Sequence, residues 1–432
     1  MPDASNYYVG FGFGAIQAGL FLYEAYHIDP NRNLIVAEVI PEVVSAVKQA
    51  GGAFHVNIAF QDRIEVARVE NLDIKNPTIQ KDRNYLIEAI ACASEIGTAL
   101  PSVEFYHLNG NKSVSGIIAE GLIKKFYSNG PPVIVYTAEN NNLAAEILEE
   151  KVMGFIPGKM HKDVSKKVQF LNTVIGKMSQ VILEKELISA QKMIPITPHL
   201  NRAFLVESFN RIQISKIHQP DIFKRGIPVF EEKEDLLRFE EAKLYGHNAT
   251  HALIGYLSAM VGADDLSKIP ENTGILSFAK DAFLQESGKA LIHKYQGSDV
   301  LFTEKGFYAY VDDLMRRMTN PFLRDKVERV TRDTHRKLTW NDRLIGTIRM
   351  ALQCGIHPER FLIGALAALY YLDDKVLDDP GRIAKILDPI WDDNRGVNKE
   401  ERETIISFLM DATIPLKKWV NDGFGNLNAC IK

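Results

Sequence analysis

At 432 residues the chain is longer than one ordinary hydrophobic core accommodates, so two domains are expected. With 46% hydrophobic and 25% charged residues and a formal net charge of -4, it reads as a globular chain without general attraction for nucleic acid or anionic membrane. An anionic substrate would need a local cluster of Lys and Arg.

The N-terminus passes from Met1 through polar residues into a strand, with no basic segment followed by an apolar one. Tyr7–Phe11 reads as that strand, residues 15–26 as a helix and residues 33–39 as a second strand. Between strand and helix lie Gly12, Phe13, Gly14, Ala15, Ile16 and Gln17. In that context the first glycine permits a tight turn and the second lets backbone approach a pyrophosphate. The free N–H groups at the helix start then supply partial positive charge. Gln17 occupies the place of the usual third glycine, and Gly19 is the candidate to restore close helix packing. Glu38 ends the second strand roughly 20 residues past the glycines, where an acid accepts the ribose hydroxyls of NAD and repels the extra phosphate of NADP. Gly12, Gly14, Ile16, Gln17 and Glu38 are therefore the candidate cofactor residues, with NAD as the cofactor.

Phe54–Ala59 and Ile64–Val69 alternate as strands, and residues 132–136 read as a buried strand breaking into the polar run 139–142. This first half is expected to be an α/β, Rossmann-type domain with a largely parallel sheet. Helical periodicity takes over from about Glu234, so the second half is expected to be all-α. Gly226, Ile227 and Pro228 mark the boundary best, giving domains 1–228 and 229–432. The longest apolar run, near Phe361, is too short to cross a bilayer. Cys92, Cys354 and Cys430 fit neither a disulfide framework nor a metal site, which favours a reducing, cytoplasmic setting without metal.

The segment KLYGHNATH, residues 243–251, carries the chemistry. On an α-helix Lys243, His251 and Asn248 fall at roughly 0°, 80° and 140°, so all three can face one pocket. Oxidation of an alcohol needs a base for the hydroxyl proton, and a lysine depressed by burial can serve near neutral pH. Asn and His donors can hold the developing oxyanion. Without further context a solvated lysine and a core Asn or His are the commoner reading, and His247 is left as a core residue.

KLYGHNATH is similar to the catalytic signature of the polyol-specific long-chain dehydrogenases, and the likeness extends over most of the chain. FGFGAIQAG resembles their nucleotide turn, and AEN at 138–140 resembles the turn bearing a second oxyanion-stabilising asparagine. NPFLRDKVERVTRDTHRKL, followed by NDRL, resembles the mannitol-1-phosphate branch. The resemblance implies a metal-independent enzyme with Lys243 as general base. Asn140 and Asn248 would polarise the reacting oxygen, His251 would orient a substrate hydroxyl, and Arg329 and Lys337 would contact the polyol. It also implies oxidation of mannitol 1-phosphate to fructose 6-phosphate, with Arg336 and Arg343 as phosphate ligands, since guanidinium groups clamp phosphate bidentately. Gly176 departs from the pattern, because the family usually places an aspartate there. Hexuronate-derived acids such as altronate, a free polyol, or NAD binding without turnover are the alternatives. The expected partner is a small polyol or its phosphate, and composition does not distinguish a monomer from a small assembly.

Overall fold

Residues 6–108, 110–209, 211–392 and 397–431 are described by a computed structural model, and the chain divides into two units, Met1–Leu237 and Arg238–Lys432.

The first unit is built on two sheets. Its strands are β1 (Tyr7–Phe11), β2 (Asn33–Ala37), β3 (Phe54–Ala59), β4 (Ile64–Val69), β5 (Leu72–Lys75), β6 (Glu95–Thr98), β7 (Val133–Thr137), β8 (Val168–Ile175), β9 (Ser179–Ile182), β10 (Ala203–Glu207), β11 (Ile212–Ser215) and β12 (Phe230–Lys233). An eight-stranded sheet runs in the order β12-β11-β8-β7-β6-β1-β2-β5. From β5 to β8 every pairing is parallel, and β11 joins β8 antiparallel. The order reverses direction between β1 and β6, which is where a doubly wound sheet opens a ligand crevice at its carboxyl ends. Because side chains alternate across a strand, Tyr8 enters one core and Val9 and Phe11 the other. Burial on both faces explains why β1 and β7 read as near-continuous apolar runs.

The hairpin β3–β4 lies outside this sheet. It joins β10 and β9 in a second, four-stranded sheet of order β4-β3-β10-β9. The alternation that identifies these strands gives no information about their partners. β12 lies beyond the expected boundary at Pro228 and pairs in parallel with β11, which keeps the chain in the first unit up to Leu237.

The second unit is helical, and among its described residues there is no strand beyond a single bridge, Asp265 with Lys326. The architecture is thus a Rossmann-type α/β unit followed by an all-α one. At the centre of the second unit, the helix Ala249–Met260 is almost wholly buried. Two glycines set its packing. A Cβ on Gly364, in the helix Glu359–Leu372, would stand 2.9 Å from Leu253 Cγ, and one on Gly255 would stand 2.4 Å from Val330 Cγ1. Among the described residues no helix is long and apolar enough to cross a membrane.

Candidate functional site

The glycine turn follows β1 directly. Gly12 has φ +83°, a left-handed conformation costly for other residues, and a Cβ there would lie 2.7 Å from the carbonyl oxygen of Ala99 at the end of β6. Gly14 differs: a Cβ built on it meets nothing within 4 Å. Backbone at Gly14 therefore borders open space, at the start of a helix and at the switch point of the sheet.

Glu38 is only 8% exposed, and both carboxylate oxygens are already engaged. Phe13 N–H donates to Oε2 at 2.9 Å and Ile40 N–H to Oε1 at 2.9 Å. The acid thus ties the glycine turn to the end of β2. Each oxygen retains a lone pair for a hydroxyl donor.

The side chain of Gln17 points into the core, which leaves its backbone, like that of Ile16, as the part available to a cofactor. It is 0% exposed, and its Nε2 donates to Tyr8 Oη at 2.7 Å beneath β1. A Cβ on Gly10 would lie 2.3 Å from that Nε2, so Gly10 makes the room that a third glycine in the turn normally provides. On the same helix Gly19 faces the other sheet, where a Cβ would lie 2.5 Å from Val206 Cγ1 of β10. The helix is held between two sheets, and its Gln17–Leu22 stretch is π-helical. Ile16 packs its side chain on the same core, leaving its backbone as the part available to a ligand.

In the second unit, Lys243 and Asn248 lie on the π-helical turn Ala242–Asn248, which runs directly into Ala249–Met260. This changes the geometry expected from a regular α-helix. A π-helix bonds residue i to i+5, so Lys243 and Asn248, five positions apart, fall on one face of the widened turn. The widened turn packs against a second π-helical turn, Ala282–Gly288, with Gly246 giving way to Phe283; a Cβ there would lie 2.7 Å from the ring.

Lys243 is partly buried. Its ammonium is drawn down to about 8, first by loss of solvation and then by the positive charge of Arg343, against the opposing charge of Glu240. His247 is buried and held well below the ordinary histidine value by desolvation, with the positive charges of Arg317, Lys243 and Arg343 acting in the same direction. It is a neutral core ring, 6.2 Å from the ring of His251. The Asn248 carboxamide makes no hydrogen bond to any described residue and is available to a ligand.

His251 Nε2 lies 2.7 Å from Oδ2 of Asp325, a carboxylate 3% exposed. Oδ1 of the same carboxylate takes Arg329 Nε at 2.9 Å and Nη2 at 2.6 Å. Burial alone would raise the Asp325 carboxyl, but the hydrogen bonds it accepts from His251 and Arg329, with the guanidinium charge, outweigh it and hold it below its ordinary value. Asp325 is the residue the motif reading passed over. Its sequence signal was the spacing of four to Arg329, the helical interval for an acid–base pair.

Residues 235–416 match the mannitol dehydrogenase C-terminal domain family. The chain is 27% identical over 371 residues to a mannitol-1-phosphate 5-dehydrogenase of Exiguobacterium sibiricum, covering 84% of each protein. The second unit thus carries a mannitol dehydrogenase C-terminal domain, and the chain is similar over most of its length to a polyol long-chain dehydrogenase. The fold agrees with two solved structures. One is a D-sorbitol dehydrogenase in substrate-free form (TM-score 0.74, 14% identity, 98% of this chain and 94% of that one). The other is the Pseudomonas fluorescens mannitol 2-dehydrogenase with NAD and D-mannitol (TM-score 0.70, 13% identity, 99% and 94%).

The remaining residues that the polyol dehydrogenase resemblance marks fall in several settings. Asn140 belongs to the first unit and is exposed, just past the carboxyl end of β7. Its neighbour Glu139 anchors that turn, accepting from Thr98 Oγ1 at 2.9 Å, from Leu100 N–H at 2.8 Å and from the Tyr106 hydroxyl. Gly176 has room for the family's aspartate, since a Cβ there would meet only Phe209 Cε1 at 3.7 Å.

Arg329 is exposed, with one edge of its guanidinium on Asp325. Lys337 is not exposed. It is buried, and its ammonium donates to the carbonyls of Val330 (2.8 Å) and Arg332 at the end of the helix Val327–Thr331. In this structure the ammonium caps that helix. Arg336 and Arg343 converge on one acid: Arg336 Nη1 lies 3.6 Å from Asp342 Oδ2 and Arg343 Nε lies 2.8 Å from Oδ1. Among the described residues no group of three or more His, Cys, Asp or Glu is placed to hold a metal ion.

Proposed function

We propose that the chain is an NAD-dependent dehydrogenase of a sugar alcohol, with mannitol 1-phosphate, oxidised to fructose 6-phosphate, as its substrate. The observation that carries the reading is Lys243, an ammonium drawn to about 8 on the same helix as Asn248 and His251. A lysine in that range is substantially neutral under mild alkaline conditions and can take a hydroxyl proton. NAD, when bound, supplies the acceptor for the hydride.

The roles of the chain's own residues follow from chemistry. Gly14 leaves space for the pyrophosphate beside the helix start, and Glu38 offers its remaining lone pairs to ribose hydroxyls. Lys243 removes the proton from the reacting hydroxyl, and the Asn248 carboxamide donates to the oxygen as negative charge develops on it. In the reducing direction the protonated Lys243 returns its proton to that oxygen. Asn140 is the second oxygen ligand in this reading. The relative's name and the Arg336–Asp342–Arg343 group support the phosphate, the two guanidinium groups moving from the carboxylate to the ligand.

A free polyol is the second reading. The same Asp342 favours it, because it already neutralises part of the charge a phosphate would need. The test is NAD reduction followed by nicotinamide absorbance with mannitol 1-phosphate, mannitol and altronate. Turnover confined to mannitol 1-phosphate is the expected result. Comparable rates with mannitol would remove the phosphate from the assignment, preference for altronate would move the enzyme to the aldonates, and no turnover with any substrate would leave an NAD-binding protein.

A further inference from the structure

Asp325 presents one buried carboxylate to two donors on different elements, His251 on Ala249–Met260 and Arg329 on Val327–Thr331. An ionised carboxylate only accepts hydrogen bonds, so the contact of 2.7 Å requires the proton of the imidazole to sit on Nε2. In the neutral ring Nδ1 is then a bare lone pair. Nδ1 makes no hydrogen bond to any described residue. Arg329 gives Nε and Nη2 to the same acid and keeps Nη1 for another partner.

We infer that Asp325 is a positioning residue that fixes the polarity of substrate recognition, making His251 an acceptor at Nδ1 and Arg329 a donor beside it. The inference rests on the dehydrogenase reading and deepens it. The ligand it selects carries a free hydroxyl that donates to His251 and an oxygen that accepts from Arg329, as two hydroxyls of a polyol chain do. His251 so arranged does not stabilise an oxyanion, which needs a donor; that work falls to the carboxamides. A substrate analogue lacking the donating hydroxyl leaves that acceptor unpaired and binds more weakly.

The carboxylate cannot be replaced by its amide without reversing this polarity. In an Asp325→Asn variant the carboxamide has one accepting oxygen for two donors. With that oxygen kept by the bidentate Arg329, its amino group faces His251 Nε2, which must become the bare nitrogen. The proton then moves to Nδ1.

Nitrogen-15 spectra of histidine-labelled full-length protein, recorded where the ring is neutral, test this directly. The expected wild-type signal for His251 is the Nε2–H tautomer, and in Asp325→Asn the Nδ1–H tautomer. The KM for the polyol should rise about 3- to 10-fold, the effect of losing one hydrogen bond between neutral groups, with NAD affinity unchanged. Asp325→Glu should restore the wild-type tautomer and part of the KM. An Nδ1–H tautomer in the wild type overturns the inference, and does so even if the Asp325→Asn variant fails to fold. An unchanged tautomer and KM in Asp325→Asn overturn it as well. Lys243→Ala, run alongside, separates the two readings: full turnover in that variant removes the general base, whatever the tautomer of His251.

Discussion

Gly255 and Val330 touch across two helices so closely that a methyl group on the glycine would stand 2.4 Å from Val330 Cγ1. Gly255 lies one turn beyond His251, and Val330 follows Arg329. The missing side chain therefore permits the approach that brings the carboxylate of Asp325 to His251. Gly255→Ala should cost about 1–3 kcal/mol of stability, the usual penalty of overpacking a closed interface. Because the strain falls on the helix that carries Arg329, the KM for the polyol should rise as well. Thermal unfolding and steady-state kinetics on the same preparation check both. An unchanged KM with a lowered Tm would show that the interface yields without moving the site.

Lys243 sets a pH dependence whose sign follows from its role. In the proposed reaction the general base is the neutral amine, and burial brings its value down to about 8 from 10.5. The rate of polyol oxidation should therefore rise with pH and level off above a midpoint near 8. The reverse reduction uses the ammonium and should fall over the same range. Lys243→Arg keeps the positive charge at all these pH values and should abolish oxidation while leaving NAD binding in place. A pH–rate profile of kcat/KM for wild type and variant is the measurement; an oxidation rate flat from pH 6 to 10 would remove Lys243 from the proton transfer.

The chain order of strands, turn and helices was legible because each is a local pattern. β1, β3 and β4 start and stop where their apolar alternation does. Partnership was not legible. Nothing in the alternation of β3 says that it pairs with β10, 137 or more positions away in the bonds made by Asn57, whose side chain links Ile194 and Phe204. The candidate site divides in the same way. Lys243, Asn248 and His251 share a local helix and could be found by spacing, although the π-helical turn that aligns the first two has no sequence rule. The turn of Lys337 back onto carbonyls was not legible, because a long cationic side chain looks the same whether it meets a ligand or a helix end. Nor was the burial of the Gln17 side chain, which depends on Gly10, a residue of the preceding strand and not of the motif.

The cap made by Lys337 gives a stability test. Its ammonium is drawn from 10.5 to about 8, by burial first and by Arg343 and Arg336 next. Between those values the unfolded chain binds the proton that the folded chain has released, so stability should rise with pH across that window. Lys337→Met leaves the carbonyls of Val330 and Arg332 without their donor and should lower stability by about 1–3 kcal/mol. It should also flatten the pH dependence. Denaturant unfolding at pH 7, 8.5 and 10 measures both. A variant as stable as the wild type but with a raised polyol KM would return Lys337 to the ligand.

Glu38 serves two tasks, and its substitutions separate them. Its carboxylate holds Phe13 N–H and Ile40 N–H, so it shapes the glycine turn before any ligand arrives. In the proposed reading its negative charge also opposes a phosphate on the ribose. Glu38→Gln keeps an accepting oxygen but removes the charge, and the amide's amino group then meets one of the two N–H donors. NAD affinity should fall about 10- to 100-fold through the loosened turn, as expected for a charged group's hydrogen bond, while discrimination against NADP disappears. Glu38→Ala removes both acceptors and should weaken the two cofactors alike. Fluorescence titration of the reduced cofactors gives the affinities. If Glu38→Gln retained the wild-type preference for NAD, the selectivity would have to come from another side chain, and the acid would be an anchor of the turn alone.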